Sequence, residues 1–162
     1  MAEDLKERRC IAAVRIRGVI SAPLQVRETL KMLNLNRTNR AVLIDNRPSF
    51  IGMLRTAQNF IAWGEASKET VNLLLKKRGR LAGDKNLTGE YVEKVGYKNL
   101  DELAEAIYKG DIEYWKLPNI QPYFKLHPPK KGFKGKIKKA YAAGGELGYR
   151  GENINELIKR MV

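Results

Sequence analysis

The residues best placed to do chemistry are the lysines of HPPKKGFKGKIKKAYAAGG, positions 127–145. Lys130, Lys131, Lys134, Lys136, Lys138 and Lys139 stand there with no acid among them. An ammonium group neutralises a phosphate without reading sequence, and an interleaved aromatic ring can stack on an exposed base. Phe133 and Tyr141 are the rings so placed. Pro128, Pro129, Gly132 and Gly135 oppose a regular helix, and the glycines let the backbone approach an irregular partner closely. The chemistry on offer is electrostatic capture of a polyanion. Six phosphate contacts would give a log–log salt slope of about −4 to −5.5. A solvated linker is the plain alternative, since charge runs are often no more than that.

Other bases are candidates of the same kind. Lys76, Lys77, Arg78 and Arg80 form KKRGR at the end of an expected helix. One or two bases there would complement the helix dipole, and four exceed that need. Arg47 falls in a strand-to-helix turn, where backbone amides also favour phosphate, and Arg55 follows on the same helix. Arg150, in GGELGYRG, is expected on a flexible glycine turn that delivers it to a nucleic-acid backbone. That turn has neither GxGxxG spacing after a strand nor a Walker lysine, so it is no nucleotide site.

Catalysis has little to work with. His127 is the single histidine and Cys10 the single cysteine, which excludes a histidine-based metal cluster, a CxxC pair and an intrachain disulfide. Asp45, near the end of an apolar run, suits a cap or an ion pair as readily as a general base. No catalytic residue, metal, cofactor or small-molecule substrate is expected.

The net charge of +13 is unevenly spread: residues 114–145 hold eight lysines and no acid, whereas residues 146–162 hold three of each sign. Such segregation suits a polyanionic partner. No run of 18 apolar residues occurs and the start, MAEDLKERRC, has no apolar signal region. A lone cysteine suits a reducing cytoplasm.

Around these residues the periodicities predict positioning elements. CIAAVRIRGVI alternates as a half-buried strand, with Arg15 and Arg17 on its polar face. Val26, Leu30 and Leu33 mark a helix after Ser21 and Pro23; RAVLIDN reads as a second strand. Pro48 opens a second helix with Phe50, Leu54, Ala57 and Ile61 as its stripe, running into a short third strand within FIAWGEAS. The order over 10–67 is therefore βαβαβ, an α/β sandwich with helices on one face. Beyond Ser67 short capped helices are expected, ending at Gly79, Gly96 and Gly110, then an extended or edge segment in WKLPNIQPYF. A terminal helix follows, with Asn153 and Glu156 as its capping pair. The lysine segment is thus bracketed by structure.

RIRG, FIAWGEAS, VNLLLKKRG and the closing FKLHPPKKGFKGKIKKAYAAGGELGYRGENINELIKRM together resemble the L-thirty family of large-subunit ribosomal proteins, in its long archaeal and eukaryotic form. The resemblance runs in order over residues 10–162. It implies an α/β (α+β) protein: a βαβαβ, ferredoxin-like core over 10–67 with a three-stranded antiparallel sheet, and a mainly helical C-terminal subdomain over 68–162 carrying the basic loop 127–145. It implies a non-catalytic, cytoplasmic constituent of the large subunit that binds rRNA near the 5S rRNA, beside neighbouring ribosomal proteins. The implied contacts fall on Lys76, Lys77, Arg78, Arg80, Lys130 to Lys139 and Arg150. The short start is similar to archaeal members. Two rival classes are a free regulatory RNA- or DNA-binding protein and an RNA-modifying enzyme.

Overall fold

The computed structural model describes residues 9–162. Residues 1–8, on which the readings of a short leader and of an absent signal region rest, lie outside the described residues.

The first half follows the expected order: β1 (Cys10–Arg15), α1 (Leu24–Met32), β2 (Arg40–Asp45), α2 (Pro48–Thr56) and β3 (Ile61–Glu65). Next come α3 (Lys68–Arg78), a two-residue hairpin of β4 (Arg80–Leu81) with β5 (Lys85–Asn86), α4 (Gly89–Lys94) and α5 (Leu100–Lys109). The chain then lays down β6 (Phe124–Lys125), β7 (Lys136–Ala140), β8 (Gly145–Tyr149) and α6 (Ile154–Met161). Among the described residues no helix is long and apolar enough to cross a membrane.

The α/β class is as expected, but the sheet is wider: six strands in the order β6-β2-β1-β3-β8-β7. β1 lies between β2 and β3 and pairs antiparallel with both, Val14 facing Ala41 and Ala62. β8 adds to β3 in parallel, with Ala62 opposite Gly148, and β7 adds to β8 in parallel. β6 closes the other edge, with Arg40 opposite Lys125. β6, on the sheet edge, begins at the end of WKLPNIQPYF, the segment expected to be extended or an edge strand. β8 escapes the sequence because glycine-rich GELGY reads as a turn until a neighbour supplies its ladder.

Helices cover both faces of the sheet, not one. Cys10, Ala12 and Val14 pack against Val71, Leu74 and Leu75 of α3, Leu103 and Ile107 of α5, and Leu157 and Met161 of α6. Ile11, Ala13, Val42 and Ile44 pack on the opposite face against Leu30 of α1 and Leu54 of α2. β1 is consequently buried along its whole length, as a central strand covered on both faces must be. Arg15 corrects the expectation of a solvated face. It is 5% exposed, and its guanidinium donates to the carbonyls of Leu35 at 3.1 Å and Arg17 at 3.2 Å. Those two carbonyls let a charged side chain lie beneath a strand.

Caps act where the sequence puts them, with one exception. Ser67 Oγ accepts from the Thr70 amide, Thr88 Oγ1 from Tyr91, and Asn99 Oδ1 from Glu102 at 2.8 Å. Gly110 closes α5 in the left-handed region at φ 81°. Asn153 makes no side-chain cap: a 3-10 turn over Gly151–Asn153 feeds α6, and the Glu156 carboxylate turns outward to Lys134.

Candidate nucleic-acid interface

The lysine segment is anchored at its start by the end of α6. The last carbonyls of a helix lack intrahelical donors. Here the His127 amide donates to the Met161 carbonyl and the Lys130 amide to that of Arg160, each at 2.9 Å. The Arg160 guanidinium reaches back to the Lys130 and Gly132 carbonyls. Lys131 at φ 64° and Gly132 at φ 74° then turn the chain through the left-handed region, which glycine enters freely.

From Lys136 to Ala140 the segment is not a loop but strand β7, the outer edge of the sheet, with every residue exposed. Tertiary pairing with β8 overrides the glycine and proline signals that predict irregular backbone. A Cβ at Gly145 would sit 1.9 Å from the Lys139 carbonyl oxygen, so the two strands pass at glycine distance. Lysine on an exposed edge also discourages pairing with a stray strand.

All six lysines of the segment are exposed. Lys134 meets the Glu156 carboxylate at 2.5 Å, holding that carboxyl below its usual range. The other five have no carboxylate partner among the described residues. Phe133 is half-buried against the larger core, whereas Tyr141 is exposed. The Arg150 guanidinium lies 4.8 Å from the Tyr141 ring centroid. Arg150 itself follows β8 and is not on a flexible turn. Its side chain is 9% exposed and paired with the buried carboxylate of Glu146 at 2.5 Å.

The remaining candidates lie elsewhere. Lys76, Lys77 and Arg78 form the last turn of α3, on the larger-core face of the sheet. Lys76 pairs with Asp101 at 3.1 Å, which with Asn72 holds the Asp101 carboxyl below its ordinary range. Arg80 donates to the Gly79 carbonyl at 2.9 Å, serving the helix end. Arg47 sits at the N-cap of α2 and Arg55 in its last turn, on the opposite face of the sheet. Arg47 grips Asp45 through two nitrogens, at 2.8 and 2.7 Å, and also binds Glu113. Its guanidinium lies 5.0 Å from the Phe50 ring and 5.5 Å from Trp115, and the hydrogen bonds it donates to Asp45 and then to Glu113 raise its pKa further. Asp45 is thus an ion-pair partner. Arg55 stays exposed.

The structure therefore places Lys136, Lys138 and Lys139 on the outer edge strand, with Lys130, Lys131 and Lys134 on the turn that leads to it and the Tyr141–Arg150 contact at its far end. Sequence reasoning overlooked Glu146. Its signal was its place: the first acid after a stretch of eight lysines. Among the described residues no group of three or more His, Cys, Asp or Glu side chains could hold a metal ion.

Comparison with known proteins now supplies the family. The family model described as "Ribosomal protein L30p/L7e" matches residues 11–61, the stretch from β1 to the start of β3. Similarity to curated proteins extends much further. The large ribosomal subunit protein uL30 of Ignicoccus hospitalis is 50% identical, over 92% of this chain and 95% of its own length. That of Archaeoglobus fulgidus is 46% identical over 93% of this chain and 98% of its own. The chain belongs to the L30p/L7e family. A third L30p/L7e relative, uL30 of Caldivirga maquilingensis, is 43% identical over 94% of this chain and 91% of its own length. At these coverages the shared length extends well beyond the βαβαβ run and takes in the lysine edge.

Proposed function

We propose that this L30p/L7e-family protein is a structural constituent of the large ribosomal subunit in the cytoplasm, where it binds rRNA and supports its folding and assembly. One observation carries the reading. Five exposed lysines without carboxylate partners among the described residues stand on an edge strand and turn that are anchored at both ends. Charges held this way neutralise a phosphate backbone with little ordering cost at the moment of binding, and with little base readout. A ribosomal family is not an enzyme class, and no catalytic role is assigned.

The finer picture is as follows. The antiparallel trio β2-β1-β3 with α1 and α2 acts as a ferredoxin-like rRNA-binding core over 10–67. Residues 68–162 act as the subdomain that carries the basic edge, within one shared sheet. Lys130, Lys131, Lys134, Lys136, Lys138 and Lys139 meet phosphates, with Tyr141 and Phe133 as the stacking candidates. Lys76, Lys77, Arg78 and Arg80 form a second patch and Arg47 and Arg55 complete the set, while Arg150, paired with Glu146, supports the edge from within. The partner is large-subunit rRNA near the 5S rRNA, with neighbouring ribosomal proteins alongside.

Replacing Lys130, Lys131, Lys134 and Lys136 with alanine is expected to deplete the protein from large subunits on a sedimentation gradient. Unchanged incorporation would remove the lysine edge from the reading. Finding the unmodified protein mainly outside large subunits would favour a free regulatory nucleic-acid-binding protein instead.

A further inference from the structure

The lysine edge should repel itself, and a carboxylate lies at its foot. Glu146, in β8, is 3% exposed. One of its oxygens accepts the Gly135 amide at 2.7 Å, 11 residues back in the chain. The other receives the Arg150 guanidinium at 2.5 Å. Arg150 in turn lies over the Tyr141 ring, the first residue after β7. Gly135 is the residue that precedes β7, so this group of side chains touches the strand at its entry and at its exit.

We infer that Glu146 is the positioning residue of the lysine edge, its buried carboxylate holding the ends of β7 so that the exposed lysines face a phosphate backbone together. This rests on the RNA-binding reading above and adds a residue whose own charge is wrong for RNA. The β7–β8 ladder makes the device necessary. Its register shifts between Lys136 and Ala140, so regular main-chain pairing does not fix the strand along its length. A buried carboxylate is costly unless paired and hydrogen-bonded, and here both oxygens are satisfied. Arg150 is then an internal counter-ion that holds Glu146, and its charge is largely used inside the protein.

The sign of the test separates positioning from simple charge. Removing an acid near a polyanion site should strengthen RNA binding if charge alone mattered. With deproteinised large-subunit rRNA as probe, the unmodified protein is expected to show a log–log salt slope of about −4 to −5.5. Glu146→Ala is expected to bind roughly 10-fold more weakly, with the slope shallower by about 2, because two or three lysines no longer engage. Glu146→Gln keeps an acceptor for the Gly135 amide and is expected to recover part of both losses. Equal or tighter binding by both variants with an unchanged slope would overturn the inference. A wild-type slope near zero would overturn the RNA reading itself, and this inference with it. Should the variants fail to fold, amide exchange in the unmodified free protein decides: slow exchange at Gly135 is expected, and exchange at the unprotected rate would overturn the proposal.

Discussion

At Gly64 a Cβ would lie 2.0 Å from the carbonyl oxygen of Gly151, because β3 runs against the 3-10 turn that leads into α6. Gly64→Ala must push that backbone aside, and a loss of roughly 1–3 kcal/mol is expected in urea unfolding. Gly89→Ala, in the first turn of α4 with nothing within 4 Å of the added methyl, is expected to stay within about 0.5 kcal/mol. Cys10 is another residue decided by its surroundings. Burial, and then the nearby Asp45 charge, push its thiol up to about 12. It should therefore resist a water-soluble alkylating reagent at pH 8 in the folded protein and react fully in denaturant. Rapid labelling without denaturant would contradict that. Glu113 shows the opposite shift: Lys116, and then Arg47, hold its carboxyl below the ordinary range. A carboxyl depressed in the folded state stabilises above its unfolded pKa of about 4.3, and that contribution is lost as pH falls through the folded value. Glu113→Gln is expected to lower stability at pH 7, with the difference from the unmodified protein shrinking as pH falls below the unfolded value of about 4.3 in urea titrations.

α6 links core and interface at the element scale. Ile154, Leu157, Ile158 and Met161 are all fully buried, on a helix of eight residues whose opposite face carries Lys159. Its last carbonyls also hold the His127 and Lys130 amides. Leu157→Ala should cost about 2–5 kcal/mol through the cavity it leaves. If α6 is the anchor, the same change should also speed amide exchange at His127 and Lys130. Loss of stability without faster exchange there would separate the two roles. β7 contrasts with α6 in every respect. It buries nothing, so its order depends on β8 and on Glu146 and not on its own apolar content.

Across the whole molecule the sheet crosses the boundary expected at residue 67. β8 pairs with β3, β6 pairs with β2, and α3, α5 and α6 cover the face of β1 that carries Ala12 and Val14. The segment 10–67 made alone would expose that face and the outer edge of β3. It is expected to lack a cooperative thermal transition by circular dichroism, while the full chain melts in one step. The two functional parts would then be one folding unit.

The sequence alone was enough for the βαβαβ order, the caps at Ser67, Thr88 and Asn99, and the location of the excess charge. Each of these rests on local physics: periodic burial, a side-chain oxygen near a free amide, and the sign of neighbouring charges. It was also enough for the family resemblance, carried by motifs along the chain. Only the tertiary structure decided that β1 is covered on both faces, that Arg15 is buried, that Arg47 and Arg150 already face carboxylates, and that three of the six lysines lie on an edge strand. Two of those outcomes depend on partners distant in sequence: Leu35 for Arg15 and Glu113 for Arg47. No local pattern encodes them. The lysines could be found by counting, but the carboxylate that holds them in place became visible only when Gly135 and Glu146 were brought within 2.7 Å.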